Sequence, residues 1–368
     1  MKLLKMAAAW SLALSCLVGS PAAAQTGAPL TPSSTARELA GAVIAAPDLL
    51  VAKAYAGQVL GPQVNSASGL VATLKTAQGG DRVRLAPGPY GGVSLAGFTF
   101  SPPVTLEAAG AVFTALKLDR VDGLVMEGGT VALDPASSAS SASVTDSANV
   151  AIRGLEVYGK AVSGLTITRG TKVEVSGGYF HDLRNAVLIT AGENVLVTKN
   201  KVRRMLSDGM VGSGGPRNLT ISYNDMSDFS PQAGAHPDGV QLFTRNATRS
   251  AEDIKIIGNR ITRGSGGIPQ GIFVTTQAGW VLPYRRVEIS GNYIEGAMHY
   301  GIGLQNADVV EIKGNIVQPI EGQKSRIHLI NLSNAVVSGN SAWMITQQGP
   351  VVTVTGTRAL GFLKPVAP

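Results

Sequence analysis

One asparagine returns at the same place in a repeating frame, and this column restricts the fold more than any other feature of the chain. Val195-x-Val197-x-x-Asn200-x-Val202 matches Leu219-x-Ile221-x-x-Asn224-x-Met226 and Ile254-x-Ile256-x-x-Asn259-x-Ile261. Val287-x-Ile289-x-x-Asn292-x-Ile294 and Val310-x-Ile312-x-x-Asn315-x-Val317 continue the series, and Asn340 closes it. Leu155 and Gly178 hold the column in earlier copies, and the steps from Gly178 are 22, 24, 35, 33, 23 and 25 residues. Each repeat holds a second strand, which starts at Gly164, Ala186, Gly209, Gly239, Gly271 and Gly301. Period-two alternation turns Leu165, Val187, Met210, Val240, Ile272 and Ile302 inward. It turns Thr166, Leu188, Val211, Gln241, Phe273 and Gly303 outward. Short strands without a helix at this period make one coil of a parallel β-solenoid, an all-β fold. Leucine-rich repeats share the length but need a leucine consensus that is absent.

Residues 65–368 are expected to form this one domain. Ser66 caps a helix with Leu70, Val71 and Leu74 at helical spacing, and Gly79-Gly80-Asp81 stops it. This helix would cover the open N-terminal end of the core, which otherwise invites edge-to-edge association. Residues 25–64 read as a linker or loosely docked segment, with a helix over 35–56 interrupted at Pro47. Residues 1–24 read as a signal peptide. Lys2 and Lys5 precede an apolar run from Met6 to Val18, and Ala22-Ala23-Ala24 offers the cleavage site. The run is short for a membrane span, and Ala13, Leu14 and Ser15 fit poorly before an acylated cysteine. A periplasmic or secreted protein is expected.

Composition agrees. Glycine is 45 of 368 residues and charged residues are 15%, which excludes a disordered charged tail and a coiled coil. Loss of Lys2 and Lys5 would lower the net charge from +7 to +5. The single cysteine, Cys16, leaves with the leader, so the mature chain has neither a thiolate metal site nor a cysteine nucleophile.

The helix, the run Gly80-Asp81-Arg82-Val83-Arg84-Leu85-Ala86-Pro87-Gly88-Pro89-Tyr90 and the asparagine-marked coils together resemble the pectate-lyase-like right-handed parallel β-helix proteins. The opening is most similar to polysaccharide lyases of the alginate and chondroitin type and to mannuronan C5-epimerases. The resemblance implies a right-handed β-helix with an N-terminal capping helix. It is specific for fold and not for activity, because this fold also carries hydrolases, adhesins and phage tail spikes.

The asparagine column itself reads as structural, since each amide can bond to the backbone of neighbouring coils. The two long steps, 224–259 and 259–292, place extra residues around 227–237, 245–252, 262–269 and 277–283. Long loops on consecutive coils build walls beside a rigid face. Polar residues gather at the mouths of the second strands there. The position before the glycine reads Asp208, Asp238, Gln270 and Tyr300, with His236 and His299 beside it. Gln241 and Gln305 project from the same strands. Coils about 4.8 Å apart would bring these residues together. Basic residues surround the zone: Arg184, Lys201, Arg203, Arg204, Arg245, Arg263, Arg285 and Arg286. Phe243, Phe273, Trp280 and Tyr284 could stack on sugar rings, while His181 and His328 read as structural or rim residues.

A basic face suits an acidic polymer. Cleaving a uronate polymer by β-elimination requires neutralising the carboxylate, removing the C5 proton and protonating the leaving oxygen. His236, Tyr300, His299, Gln241 and Asp238 are the candidate catalytic residues. Asp208, Gln270, Gln305, Arg204, Arg245, Arg263, Phe243 and Trp280 are the candidate substrate contacts. No cofactor is assigned, although Asp208 and Asp238 could hold Ca²⁺. The expectation is an exported carbohydrate-active protein, a polysaccharide lyase first. It would act as a monomer on an acidic polysaccharide, without nucleic acid and without membrane insertion. A C5-epimerase uses the same proton abstraction. A glycoside hydrolase would use Asp208 and Asp238 about one ladder step apart. The Asn-x-Asp, Asp-Asp and Gly-His-Gly signatures of β-helix polygalacturonases are missing, as is the epimerases' Asp-Pro-His, which His236-Pro237-Asp238 only permutes. A non-catalytic polysaccharide-binding or structural β-helix is the remaining reading.

Overall fold

The computed structural model describes residues 57–138, 141–231, 236–277, 281–350 and 352–363. All lie in the compact unit Val43–Pro368. The expected signal peptide with Cys16 and Ala24, most of the 25–64 segment, and Trp280 lie outside the described residues.

Among the described residues, thirty-one strands, every pair parallel, wind into a β-helix of three ladders. The first sheet holds the strands that lead into the asparagines, such as Glu193–Thr198, Arg217–Ser222, Glu252–Ile257 and Tyr284–Ser290. The second holds three-residue strands after the asparagine column, such as Tyr179–His181 after Gly178, and Lys201–Arg203, Asp225–Ser227 and Arg260–Thr262 after asparagines. The third holds the glycine-started strands Met210–Ser213, Asp238–Phe243 and Gln270–Thr275. Two long strands, Tyr300–Lys313 and Arg326–Ser338, then run through the corner from the third sheet into the first.

Register follows the sequence alignment. Met210 pairs with Val240, Val240 with Ile272, and Ile272 with Ile302, all fully buried. One apolar column thus fills the solenoid, and burial of each such side chain is worth about 1.5–3 kcal/mol.

The asparagine column is a continuous buried ladder. The backbone N–H and Nδ2 of Asn200 both donate to Asn224 Oδ1, at 3.0 and 2.9 Å. Asn224 repeats this toward Asn259, Asn259 toward Asn292, Asn292 toward Asn315 and Asn315 toward Asn340. Each Nδ2 also donates to a first-sheet carbonyl, as Asn259 does to Ile221 at 2.8 Å. The left-handed turn is taken by the residue before each asparagine. It is Gly258, Gly291, Gly314 and Gly339 in four coils, with φ of 62° at each. Glycine enters this region without steric cost, which explains part of its excess.

The helix is Ala67–Thr76, with Ser66 Oγ accepting from Gly69 N–H and Leu70 and Leu74 buried. Ordered pairing begins ahead of it. Val59 and Val64 bridge to Arg82 and Leu85, so residues 58–64 are hydrogen-bonded to the first coil.

Candidate functional site

The outward row of the third sheet carries the concentration of side-chain chemistry. In successive coils it reads Val211, Gln241, Phe273, Gly303 and His328, by register. Gly303 has no side chain, and the room a Cβ would take there is met by the Phe273 ring at 2.8 Å and by Tyr300 Cβ at 3.6 Å. The Phe273 and Tyr300 rings stack at 5.5 Å and 9°, and the Tyr300 and His328 rings at 5.2 Å and 16°. Rings stacked along the coil axis present their edges outward, so the polar tips of Tyr300 and His328 face away from the core. The Arg326 guanidinium lies over the Tyr300 ring at 5.4 Å, within cation–π distance. His328 Nδ1 lies 2.7 Å from Thr346 Oγ1. Burial and the Arg326 charge hold the His328 pKa below its ordinary 6.5, so the imidazole is neutral at pH 7.

Beside this row runs a second polar ladder, at the starts of the strands. Asn185 Nδ2 donates to Ser163 Oγ at 3.3 Å, Asp208 N–H to Asn185 Oδ1 at 3.0 Å, and Asp238 N–H to Asp208 Oδ1 at 3.0 Å. Gln241 Nε2 lies 2.7 Å from Asp238 Oδ2, and Gln270 Nε2 lies 3.0 Å from Asp238 Oδ1. Asp238 is 1% exposed and Asp208 8%. Burial raises the pKa of Asp208, against the Asp238 N–H, the Ser207 hydroxyl and the Arg184 charge. Burial and then the Asp208 charge raise that of Asp238 well above the usual carboxylate range. Burial and mutual repulsion thus both work against ionisation of the pair.

This burial corrects two expectations. Asp238 does not reach a glycan directly, and the pair is sealed from the bulky substrate a hydrolase would hold. Nor do the two residues fit a calcium cage. Ca²⁺ takes six to eight oxygen ligands, whereas both Asp238 oxygens already face amide nitrogens, and no group of three His, Cys, Asp or Glu gathers among the described residues. An expected outcome follows. A carboxyl whose pKa is raised by folding gives stability that is full below the unfolded value, about 3.9, and is lost as pH rises through the folded value. Asp208→Asn keeps the acceptor for Asp238 N–H and removes the charge. Its melting temperature should exceed that of the wild type at pH 7, with a margin that shrinks toward pH 4. Calorimetry across that range checks it.

The loops of the long repeats interlock across coils. Ser265 N–H and Oγ donate to Asp228 Oδ1 at 2.8 and 2.9 Å, and Gly267 N–H donates to Phe229 carbonyl at 2.6 Å. Met298 N–H donates to Pro269 carbonyl at 2.8 Å. On the other side of the sheet, Gln277 N–H donates to Thr244 Oγ1 and Arg245 Nε to Gln277 Oε1, both at 3.1 Å. Thr275 Oγ1 donates to Gln305 Oε1 at 2.8 Å. Two bonded borders therefore flank the Gln241–His328 row.

The remaining expected residues are spread around this face. His236 and His299 are exposed on the turns that enter it. Phe243 is half-buried at the far end of its strand. Arg263 Nε donates to Gly266 carbonyl at 3.3 Å. Arg204 is drawn elsewhere: its guanidinium grips Asp182 at 2.8 and 2.7 Å, beside His181 on the second-sheet side. His181 there stacks between Tyr158 and Tyr179 at 5.0 and 4.3 Å. Tyr284, a candidate sugar platform, is 1% exposed and bonds Thr275 carbonyl from the core. Arg326 and His328 escaped the sequence reading as site residues. Their coil has Ser325 and Arg326 where others have glycine, and a register irregularity between Tyr300 and Ile302 aligns Arg326 with Tyr300. A seventh copy of the second strand, sought through Ile327 and Leu329, would have found them.

Residues 136–279 match the family model of the right-handed beta helix region, and the fold is a right-handed parallel β-helix. No curated protein matches the chain. Among solved structures it is similar to PfbA, a surface adhesin of Streptococcus pneumoniae, at 14% identity and TM-score 0.56 over 82% of this chain and 89% of that one. It is also similar to a tailspike protein double mutant of E. coli bacteriophage HK620 in complex with pentasaccharide, at 14% identity and TM-score 0.56 over 82% of this chain. A tailspike mutant of the same phage in complex with hexasaccharide gives 13% identity and TM-score 0.56. The chain spans 64% and 62% of these two tailspikes. Among the described residues, no helix is long and apolar enough to cross a membrane.

Proposed function

We propose that this chain is an exported carbohydrate-active protein that binds an acidic, uronate-containing polysaccharide along the outward face of the third sheet and cleaves it by β-elimination. The observation that carries the reading is the Phe273–Tyr300–His328 stack with Arg326 over the Tyr300 ring. It puts a cation, a phenol and a neutral imidazole within one or two coils of each other. Arg326 neutralises the uronate carboxylate, which acidifies the C5 proton. His328 Nε2 takes that proton. The C4–O bond breaks as the C4–C5 double bond forms, and the Tyr300 hydroxyl gives a proton to the departing oxygen. Gln241, Gln270 and Gln305 bond sugar hydroxyls from the floor. His236, His299, Arg245 and Arg263 contact the chain from the turns and borders. The tailspike that shares the fold is solved with an oligosaccharide, which supports a glycan ligand.

A binding protein without turnover is the second reading. The burial of the Asp208–Asp238 pair favours it over a hydrolase, because that pair is not exposed on the face. Incubation with alginates, pectates, glucuronans and sphingan-like polymers separates these readings. New ultraviolet absorbance from an unsaturated uronate is the expected result. Reducing ends without it mean hydrolysis. Changed uronate NMR signals in uncut chains mean epimerisation. Retention without turnover means binding alone.

A further inference from the structure

The outward row of the first sheet is buried over much of its length, although alternation turns it away from the core. Register aligns Thr105, Val125, Ala151, Glu174, Leu196 and Thr220 in successive coils. Thr105, Val125 and Ala151 are 0% exposed, Thr220 1% and Leu196 7%. Glu174, the one charge among them, is bonded to Arg153 at 2.8 Å. The row then runs through Lys255, Glu288 and Glu311 to Val336, which is 50% exposed. An outward place on a ladder therefore does not by itself seal a side chain. Leu188, outward on the third sheet, makes the same point, because it is only half-buried.

The hydroxyls on this row tell the chemistry of the cover. Thr105 Oγ1 and Thr220 Oγ1 are both buried without a hydrogen-bond partner. On an open face each would meet water, whereas under an apolar cover it meets nothing. Among the described residues, the one helix packs on Gly88–Ala96 at the end of the core, and no helix or strand lies over the row. The stretches 139–140, 232–235 and 278–280 are too short to cross five ladder steps, about 24 Å.

The sequence ahead of residue 57 has the matching character. Of residues 43–56, only Asp48 and Lys53 are charged, and all the others but Pro47 are apolar. A run of this composition gains by leaving water. The compact unit begins at Val43, and the run enters the domain beside the buried row. Val59 pairs with Arg82 and Arg82 with Thr105, so residue 57 stands at the N-terminal edge of this same sheet. Thr220 lies seven steps beyond Val59, about 34 Å away. Fourteen residues reach about 21 Å as a helix and about 46 Å when extended. Pro47 favours extended backbone at Ala46 and a helix only after itself, which gives an intermediate reach.

We propose that residues 43–56 form an apolar strap that lies along the solenoid axis over the first-sheet row from Thr105 toward Thr220. The strap closes the apolar part of this face and stops where the row turns to Lys255, Glu288 and Glu311. The proposal is independent of the polysaccharide reading, which concerns the third sheet.

The test uses thiol reactivity. Cys16 is the only cysteine and would leave with the leader, so an introduced cysteine reports alone. Leu196→Cys and Val336→Cys, each in the full exported chain, are treated with a maleimide under native conditions. Leu196→Cys should react at least about ten-fold more slowly than Val336→Cys. Adding Leu49→Asp, Leu50→Asp and Val51→Asp together should speed it about ten-fold or more, because buried carboxylates expel the strap. Equal rates for the two single variants overturn the proposal. So does slow reaction that persists in the combined variant, and a dimer mass by light scattering would then assign the cover to a second copy. Tryptic cleavage after Lys53 in the wild type needs no variant. It should be at least about a hundred-fold slower than in the heat-unfolded chain, the rate ratio of a site that opens only rarely. Cleavage at the unfolded rate overturns the proposal.

Discussion

Replacing Asn259 by alanine is expected to lower the stability of the solenoid by about 3–5 kcal/mol, from several buried polar groups at 1–3 kcal/mol each. Asn259 Oδ1 accepts from both the N–H and Nδ2 of Asn224, and its Nδ2 serves Ile221 carbonyl and Asn292 Oδ1. All of these lie where water cannot replace the lost partner. Asn259→Asp should fare little better, because a carboxylate cannot donate to Ile221 or Asn292. Position in the column matters too. Asn200 Oδ1 accepts only the Gly178 N–H from the coil before it, so Asn200→Ala removes fewer bonds and should cost less. Denaturant unfolding of the three variants measures the order. A loss below about 1 kcal/mol for Asn259→Ala would mean that the column adds no more than an ordinary exchange of protein for water hydrogen bonds.

Arg326→Gln is expected to reduce turnover of a uronate polymer by about a hundred-fold or more, roughly 2.7 kcal/mol of transition-state stabilisation. Stability should change little, since among the described residues no ion pair holds the guanidinium and its Nε is buried without a hydrogen-bond partner. The pH profile gives a second readout. His328 must be neutral to act as base, so activity falls as pH drops through its pKa. That value is depressed first by burial and then by the Arg326 charge. Removing the charge should move the acid limb of the residual activity upward, toward the ordinary histidine value. Unchanged turnover would move the carboxylate-neutralising role to another cation on this face. Unchanged position of the acid limb would remove His328 from the mechanism.

The parts legible in the sequence were those that every coil repeats. Val240, Ile272 and Ile302 announce one inward column because the core demands the same answer in each turn, and Asn200 to Asn340 announce the ladder for the same reason. The helix was legible from Ser66 and the Leu70–Leu74 spacing. The site was legible only as far as it obeyed the repeat: Asp208, Asp238, Gln270 and Tyr300 stood out as one row. What broke the frame was hidden. Arg326 joins that row through an irregularity at Tyr300, and His328 sits across from a glycine, so neither matched its column. The burial of Asp238 was hidden as well, because Asp-Gly in a long loop looks like an exposed turn. Arg204 looked available because its partner, Asp182, is 22 residues away along the chain and adjacent only once the coils stack.

The asparagine column also decouples heredity from architecture. Its hydrogen bonds hold at 2.9–3.1 Å whether the next asparagine comes after 23 residues or 35. A coil can therefore acquire or lose ten residues at a corner while the rungs above and below keep their spacing. Insertions that would wreck a globular core become small edits to one border of one face. Specificity can drift by changing border segments between rungs, and whole coils can be duplicated to lengthen the face without reinventing the interior.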